Sequence, residues 1–121
     1  MMRFPDWESR LSAVVCQGFS RPQLCGLFVA DCVLAMTGED FGKGFRSFKV
    51  EANALRKLKT DTGMGIVEYA ESLFPEGDSA AGNIAIVEGA LGISQGGSIY
   101  VMGPTGLGFR PLSDATKFLK V

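Results

Sequence analysis

Apolar residues in the first third of the chain recur at helical spacing. A first helix is predicted between Asp6, as its N-cap, and Gly18, as its stop. Its inward face consists of Trp7, Leu11, Val14 and Val15. After a loop with Arg21-Pro22, a strongly apolar and central helix is predicted from Cys25 to Thr37, ended by Gly38. Its inward stripe consists of Cys25, Phe28, Val29, Cys32 and Met36.

The period of the pattern changes in the second half. Two short amphipathic helices are predicted, from Glu51 to Lys59 with Leu55 and Leu58 apolar, and from Ile66 to Phe74. After Gly82, short strands separated by glycine turns are predicted over residues 83–87, 91–94, 98–102 and 108–111. Ser113 is expected to cap a last short helix, with Ala115 and Phe118 facing inward. Helices first and a small antiparallel sheet second predict an α+β fold, as one domain over residues 1–121.

Composition and charge exclude several classes of partner. The chain is 46% hydrophobic and 21% charged, as in folded globular proteins. Lys and Arg number 12 against 13 Asp and Glu, so no basic surface for nucleic acid is expected. The longest apolar run, Leu27 to Met36, contains Asp31 and is too short to cross a bilayer. Asp6 and Glu8 near the start speak against a signal peptide, so we expect no membrane insertion and no export by such a signal.

The three cysteines, Cys16, Cys25 and Cys32, do not indicate a disulfide framework, because their number is odd. Cys25 and Cys32 lie two helical turns apart, too far for a bridge. A metal site built on the three lacks a fourth ligand, and we expect no metal and no cofactor. An iron–sulfur cluster shared with another chain stays an open alternative.

The chain contains no histidine. Histidine is the commonest general base and a common transition-metal ligand. A Ser-His-Asp or Cys-His catalytic site is therefore impossible within this chain.

Cys25 is the most suggestive single residue, because it follows a loop and begins a helix. Backbone N–H groups and the helix dipole at such a position lower the pKa of a thiol, and papain-like folds place their nucleophile there. The competing interpretation is a buried, small apolar cysteine.

Two acids and one glycine-rich run have structural explanations. Asp31 lies within an apolar helix and is expected either to be a buried hydrogen-bonding acid or to meet water or Arg46 at the helix edge. Asp40 is expected to cap a loop. The run of residues 103–108, GPTGLG, is followed by no Lys-Ser/Thr pair or helix and is predicted to be a hairpin turn, not a phosphate loop.

Trp7 is followed, in and just after the central helix, by Cys25-Gly26-Leu27-Phe28-Val29-Ala30-Asp31 and by Val33-Leu34-Ala35-Met36-Thr37-Gly38-Glu39-Asp40. This pattern resembles a group of small tailed-phage and prophage tail proteins. Those proteins carry a Trp and then Asp-Cys-x-x-Phe-x-Ala-Asp-x-Val-x-Ala-x-Thr-Gly-x-Asp. The corresponding residues here are Trp7, Cys25, Phe28, Ala30, Asp31, Val33, Ala35, Thr37, Gly38 and Asp40. Their Arg-Gly-x-Tyr segment resembles Arg46-Ser47-Phe48, their Gly-Asp strand resembles Gly82-Asn83, and their Leu-Gly-Ile strand resembles residues 91–93. The resemblance spans nearly the whole chain.

That group is similar to the NlpC-like branch of the papain-like cysteine peptidases. In active NlpC-like enzymes the cysteine at the helix start is the nucleophile, and a histidine opens the His-x-Gly-Ile strand. The resemblance places the nucleophile on Cys25 and the histidine on Ala90. Leu24 stands where the group usually has Asp, and Asn83 replaces the Asp of Gly-Asp. The resemblance thus implies a vestigial nucleophile without its base, with Trp7, Phe28, Asp31, Gly38 and Asp40 as structural residues.

The function implied is a catalytically inactive structural component of a bacteriophage tail tip or tail assembly. Its expected partners are the distal tail and hub proteins, in a hetero-oligomeric assembly that forms in the host cytoplasm and is located in the virion. The expected contact surfaces are the loop from Phe41 to Phe48 and the hairpins near Gly96 and Gly103.

Other functions stay open at this point. One is an active peptidoglycan or tail-processing cysteine peptidase, with Cys25 as nucleophile and an unconventional or borrowed base. Another is a small-ligand or regulatory domain with no link to phages.

Overall fold

Four helices precede a six-stranded sheet in the computed structural model, which describes residues 2–19 and 24–121. The helices are α1 (Trp7–Gly18), α2 (Cys25–Thr37), α3 (Glu51–Thr62) and α4 (Ile66–Leu73). The strands are β1 (Glu76–Gly77), β2 (Ile84–Val87), β3 (Ala90–Ser94), β4 (Ile99–Gly103), β5 (Gly106–Arg110) and β6 (Lys117–Leu119). The predicted α+β arrangement, with helices first and an antiparallel sheet second, is confirmed. The predicted Arg21-Pro22 loop lies outside the described residues.

The strand order is β1-β6-β2-β3-β4-β5, and all neighbouring strands are antiparallel. Hairpins connect β2 to β5 in sequence order, and the last strand returns to lie between β1 and β2. Glu88 and Gly89 form the turn between β2 and β3 with φ values of 50° and 77°. Positive φ at both positions is the geometry of a tight two-residue hairpin. This turn fixes Ala90 as the first residue of β3.

The main core lies between the helices and one face of the sheet. Helix α2 is its centre, packing against α1 on one side and β3 on the other. Four of the five residues in its predicted stripe have no exposed surface: Phe28, Val29, Cys32 and Met36. Gly38 ends α2 in the left-handed conformation, with φ 82°, so the predicted central helix has the expected bounds.

A smaller cluster covers the opposite face of the sheet. Strand β2 is buried at all its positions because each of its faces is covered, which explains the unbroken apolar sequence Ile-Ala-Ile-Val. The cluster consists of Ala85, Val87 and Ile99, with Val101, Leu112, Ala115 and Phe118 packed against them.

Two local predictions differ from the structure, one in full and one in part. Ser113 does not cap a helix: a 3₁₀ turn at Leu112–Asp114 leads into β6, which pairs with both β1 and β2. Hydrogen bonds to two strands outweigh the weak helical pattern of a short apolar run. Asp6 occupies the N-cap position of α1 as predicted, but its side chain makes no capping hydrogen bond; its carboxylate accepts a 2.8 Å hydrogen bond from Arg10 one turn further on.

Candidate functional site

Cys25 lies where the start of α2 meets the start of β3. Leu24 is extended, with ψ 139°, and Cys25 is the first helical residue. The sulfur is close enough to the backbone of Gly26 and of Leu91 for hydrogen bonding. Leu91 follows Ala90 directly, so the fold brings together Cys25 and the first residues of β3. Ala90 stands at the position that the resemblance assigns to the catalytic histidine.

The nearest charged partner of Cys25 is the carboxylate of Glu51, the first residue of α3. The thiol donates a hydrogen bond of 3.2 Å from Sγ to Glu51 Oε1. No local pattern indicates this contact, because the two residues are 26 positions apart and belong to different helices. Glu51 therefore joins Cys25 at the site as a residue that the sequence analysis missed.

The expectation that the helix start lowers the pKa of Cys25 is wrong. Burial raises the pKa of the Cys25 thiol from 9.0 to about 11, helped by the hydrogen bond to Glu51 and by its negative charge. The backbone groups of Leu91 and Gly26 lower it, but by less than burial and the carboxylate raise it. The thiol is therefore neutral throughout the physiological pH range.

A carboxylate neighbour does not replace a histidine base. Carboxylic acids ordinarily titrate about four units below thiols, so a thiol–carboxylate pair keeps its proton on sulfur. The negative charge also opposes formation of a thiolate beside it. The arrangement of Cys25 and Glu51 is thus suited to a structural hydrogen bond and not to nucleophilic attack.

An apolar pocket of about 50 Å³ opens beside Cys25. It lies between the start of α2, the loop after α2, and helices α3 and α4. Its walls include Leu24, Leu27, Phe41, Phe45, Leu55, Leu58, Ile66 and Tyr69. A cavity measured in this way needs about 10–15 Å³ to hold one water, so this pocket admits a few water-sized groups. The pocket fits the end of one apolar side chain better than an extended substrate.

Arg46 holds the loop after α2 in place. It donates hydrogen bonds of 2.7 Å to each carboxylate oxygen of Asp40, and it also pairs with Asp31. Asp40 in turn accepts the backbone N–H of Gly42 at 2.9 Å, so its predicted role as a loop cap is confirmed. The side chain of Asp31 is 29% exposed and meets Arg46 at the helix edge, so the buried-acid interpretation is wrong.

The expected contact loop, Phe41 to Phe48, is only partly exposed. Phe41 packs edge-on against Phe74, with ring centroids 5.7 Å apart, and Phe45 lines the pocket. Its exposed residues are Lys43, Gly44, Arg46 and Ser47. Of the two hairpins, the one at Gly96-Gly97 is exposed, and the one in GPTGLG is the predicted turn, with Gly103 paired to Gly106.

Among the described residues, the remaining candidates do not form a second catalytic or metal-binding site. Cys16 is exposed, Cys32 is buried, and all three cysteines are free thiols. In residues 2–19 and 24–121 no three Cys, Asp or Glu side chains come together as metal ligands. None of the helices in that part of the chain is long and apolar enough to span a bilayer. Trp7 is half-buried and packs on the core, with the guanidinium of Arg3 4.3 Å from its ring centroid.

Comparison with known proteins gives a family and no relative of known activity. No curated protein and no solved structure matches the chain. One family model, described as "Domain of unknown function (DUF6950)", matches residues 2–121. Because this match covers almost the whole sequence, the chain belongs to the DUF6950 family.

Proposed function

We propose that this protein is a catalytically inactive NlpC-like domain that serves as a structural component of a bacteriophage tail tip or tail assembly. It acts by binding other tail proteins, such as the distal tail and hub proteins, in a hetero-oligomeric particle. It is assembled in the host cytoplasm and stays in the virion at the tail tip.

The observation that carries the proposal is the placement of Cys25 at the junction of α2 and β3, with its thiol hydrogen-bonded to a carboxylate and an alanine at the start of β3. The sulfur lies beside Leu91, next to Ala90, which stands at the position that the resemblance gives to the catalytic histidine. Glu51, the charged residue that bonds to the thiol, raises its pKa instead of lowering it. A fold that keeps the nucleophile position while losing its chemistry supports a binding role over a hydrolytic one.

The alternative, an active cysteine peptidase, requires a base that removes the proton from Cys25. Within the described residues the group in contact is a carboxylate, which is too weak a base for a thiol whose pKa is about 11. In subtilisin, losing the base of a catalytic triad lowers kcat by up to about 10⁶-fold. Activity would therefore require a base that Cys25 does not contact within the described residues, such as one supplied by a partner protein.

The direct test is complex formation with tail-tip proteins encoded beside this gene. We expect a complex of defined stoichiometry by size-exclusion chromatography with light scattering. Lys43→Glu, on the exposed part of the loop after α2, is expected to weaken this complex. Lys120→Glu makes the same charge change on an exposed residue at the far end of the chain and is the matched control.

Catalysis is tested in the same preparations. Peptidoglycan incubated with the protein, alone and in complex, is expected to show no cleavage that depends on Cys25. Absence of any complex, together with cleavage that is lost in Cys25→Ala, would contradict the proposal and favour the peptidase.

A further inference from the structure

Strand β5 forms one edge of the sheet. Within residues 2–19 and 24–121 its backbone pairs with β4 alone. Gly103 and Gly106 flank a two-residue turn, so they form a hydrogen-bonded pair, and the pairs along the hairpin then alternate. The backbone N–H and C=O groups of Leu107 and Phe109 therefore point away from β4, toward the free edge.

Exposed aromatic rings lie beside the same edge. Phe109 is 56% exposed and Phe19 is 49% exposed, although both are large apolar side chains. Their ring centroids are 5.7 Å apart, and Phe109 also lies 4.6 Å from Tyr100 on β4. Apolar surface thus coincides with backbone groups that have no partner among the described residues, which is the combination by which an edge strand recruits another strand.

We propose that a second copy of this chain binds here, with the two β5 strands antiparallel about a two-fold axis at Gly108. In this register Leu107 of each copy lies opposite Phe109 of the other. Because both residues direct their backbone groups outward, each of the two pairs forms two hydrogen bonds, and all four outward groups of each strand are used. Gly108 has no side chain, so the strands can approach closely at the axis.

The charges of β5 permit this self-pairing. Arg110 is its one charged residue, and in this register it lies opposite Gly106 of the other copy. Its guanidinium already bonds to Glu88 at 3.0 Å and to Asp114 at 2.7 Å, so no like charges face each other. Strand β5 also lacks the lysine or proline with which proteins commonly block a free edge. The opposite edge, β1, has two residues and offers no comparable ladder.

The pairing also places Phe109 against an apolar neighbour. The axis is perpendicular to the sheet, so the helices of both copies lie on the same side, and Phe109 meets Leu107 of the other copy across the strands. Aromatic–aliphatic cross-strand pairs stabilise antiparallel sheets. The product is a sheet continuous across two chains, and it does not depend on the tail function proposed above.

Sedimentation equilibrium over about 10 µM to about 1 mM tests the dimer, a range chosen because small interfaces bind weakly. We expect the mass to rise from 12.9 kDa toward twice that value. Phe109→Pro removes an outward N–H and the exposed ring but no bond to β4, so a folded monomer is expected. Leu73→Lys, which changes an exposed leucine on α4, is the matched control and is expected to dimerise normally.

Hydrogen exchange locates the interface. The amide protons of Leu107 and Phe109 are expected to become protected as the concentration of the native protein rises, while those of β1 do not change. A protein that is monomeric at about 1 mM overturns the proposal. So does a dimer that Phe109→Pro retains, or protection that appears at another edge.

Discussion

Glu51→Gln is expected to speed alkylation of Cys25 without making it as reactive as an unburied thiol. The native pKa of about 11, against an ordinary 9.0, lowers the thiolate fraction at pH 8 by about 100-fold. Burial is the larger cause of the shift, and the hydrogen bond and charge of Glu51 are the smaller ones. Removing the negative charge of Glu51 is therefore expected to reverse part of the roughly 100-fold loss of thiolate, while the part of the loss that is due to burial remains.

The assay is the pH dependence of the iodoacetamide reaction, followed by mass spectrometry in a Cys16→Ser background. Cys32 has no exposed surface in the native protein, so Cys25 is the thiol that reacts. The rate in the parent protein is expected to rise with an inflection near pH 11, and the Glu51→Gln inflection is expected at lower pH. Glu39→Gln removes an exposed charge at the other end of α2 and should leave the curve unchanged.

Two results would refute this reasoning. An inflection at the ordinary value of 9.0 in the parent protein would mean that burial and Glu51 do not raise the pKa of the thiol, and an inflection well below 9.0 would mean that the helix start governs it and that Cys25 is an activated nucleophile. Identical curves for the parent and Glu51→Gln proteins would show that the carboxylate does not act on the sulfur in solution.

Three further predictions concern stability. Phe28→Ala, at a fully buried site, should cost about 3–5 kcal/mol in urea unfolding, whereas Val50→Ala, at a site 55% exposed, should stay within about 0.5 kcal/mol. Gly38→Ala should cost about 1–2 kcal/mol in the same assay, because φ is 82° and the new Cβ would lie 3.0 Å from Phe4. The hydrogen bonds from Arg46 lower the pKa of Asp40. The ionised Asp40 therefore stabilises the fold above the ordinary carboxyl pKa, and this stabilisation is lost as pH falls through the lower native pKa. Asp40→Asn should accordingly flatten the acid side of the stability–pH curve in urea unfolding.

The sequence predicts the elements whose residues show a strong local pattern. Helix α2 has a long apolar stripe and a glycine after its last turn, and its bounds were predicted correctly. The glycine turns likewise separated β2 to β5, and each predicted end lies within two residues of the observed one. By contrast, β1 has two residues and β6 has three, too short for any alternation to be recognised. Their pairing depends on strands far away along the chain.

At the candidate site, the position of Cys25 was predictable and its chemistry was not. The start of a helix is visible in the pattern, and it favours a low thiol pKa. The actual pKa depends on burial and on Glu51, which reaches the sulfur through the packing of α3 on the start of α2. Local sequence carries no information about a contact between two helices that the fold alone brings together.

At position 83 this chain has asparagine where the tail proteins that it resembles have aspartate, and the hydrogen bonds of Asn83 give a structural reason for the difference. Its side-chain oxygen accepts hydrogen bonds from Arg3 at 2.9 Å and from the N–H of Val121 at 3.1 Å, while its amide donates to the backbone oxygen of Asp78 at 3.1 Å. An aspartate here would keep the acceptor role but would lose that donor and bring a second negative charge close to the Asp78 carboxylate, which now lies 3.4 Å from the amide. Asparagine is therefore the residue that satisfies every partner at this position. Under the proposed relationship, the asparagine at position 83 is a structural adaptation, and the alanine at position 90 is the replacement that removes the catalytic base.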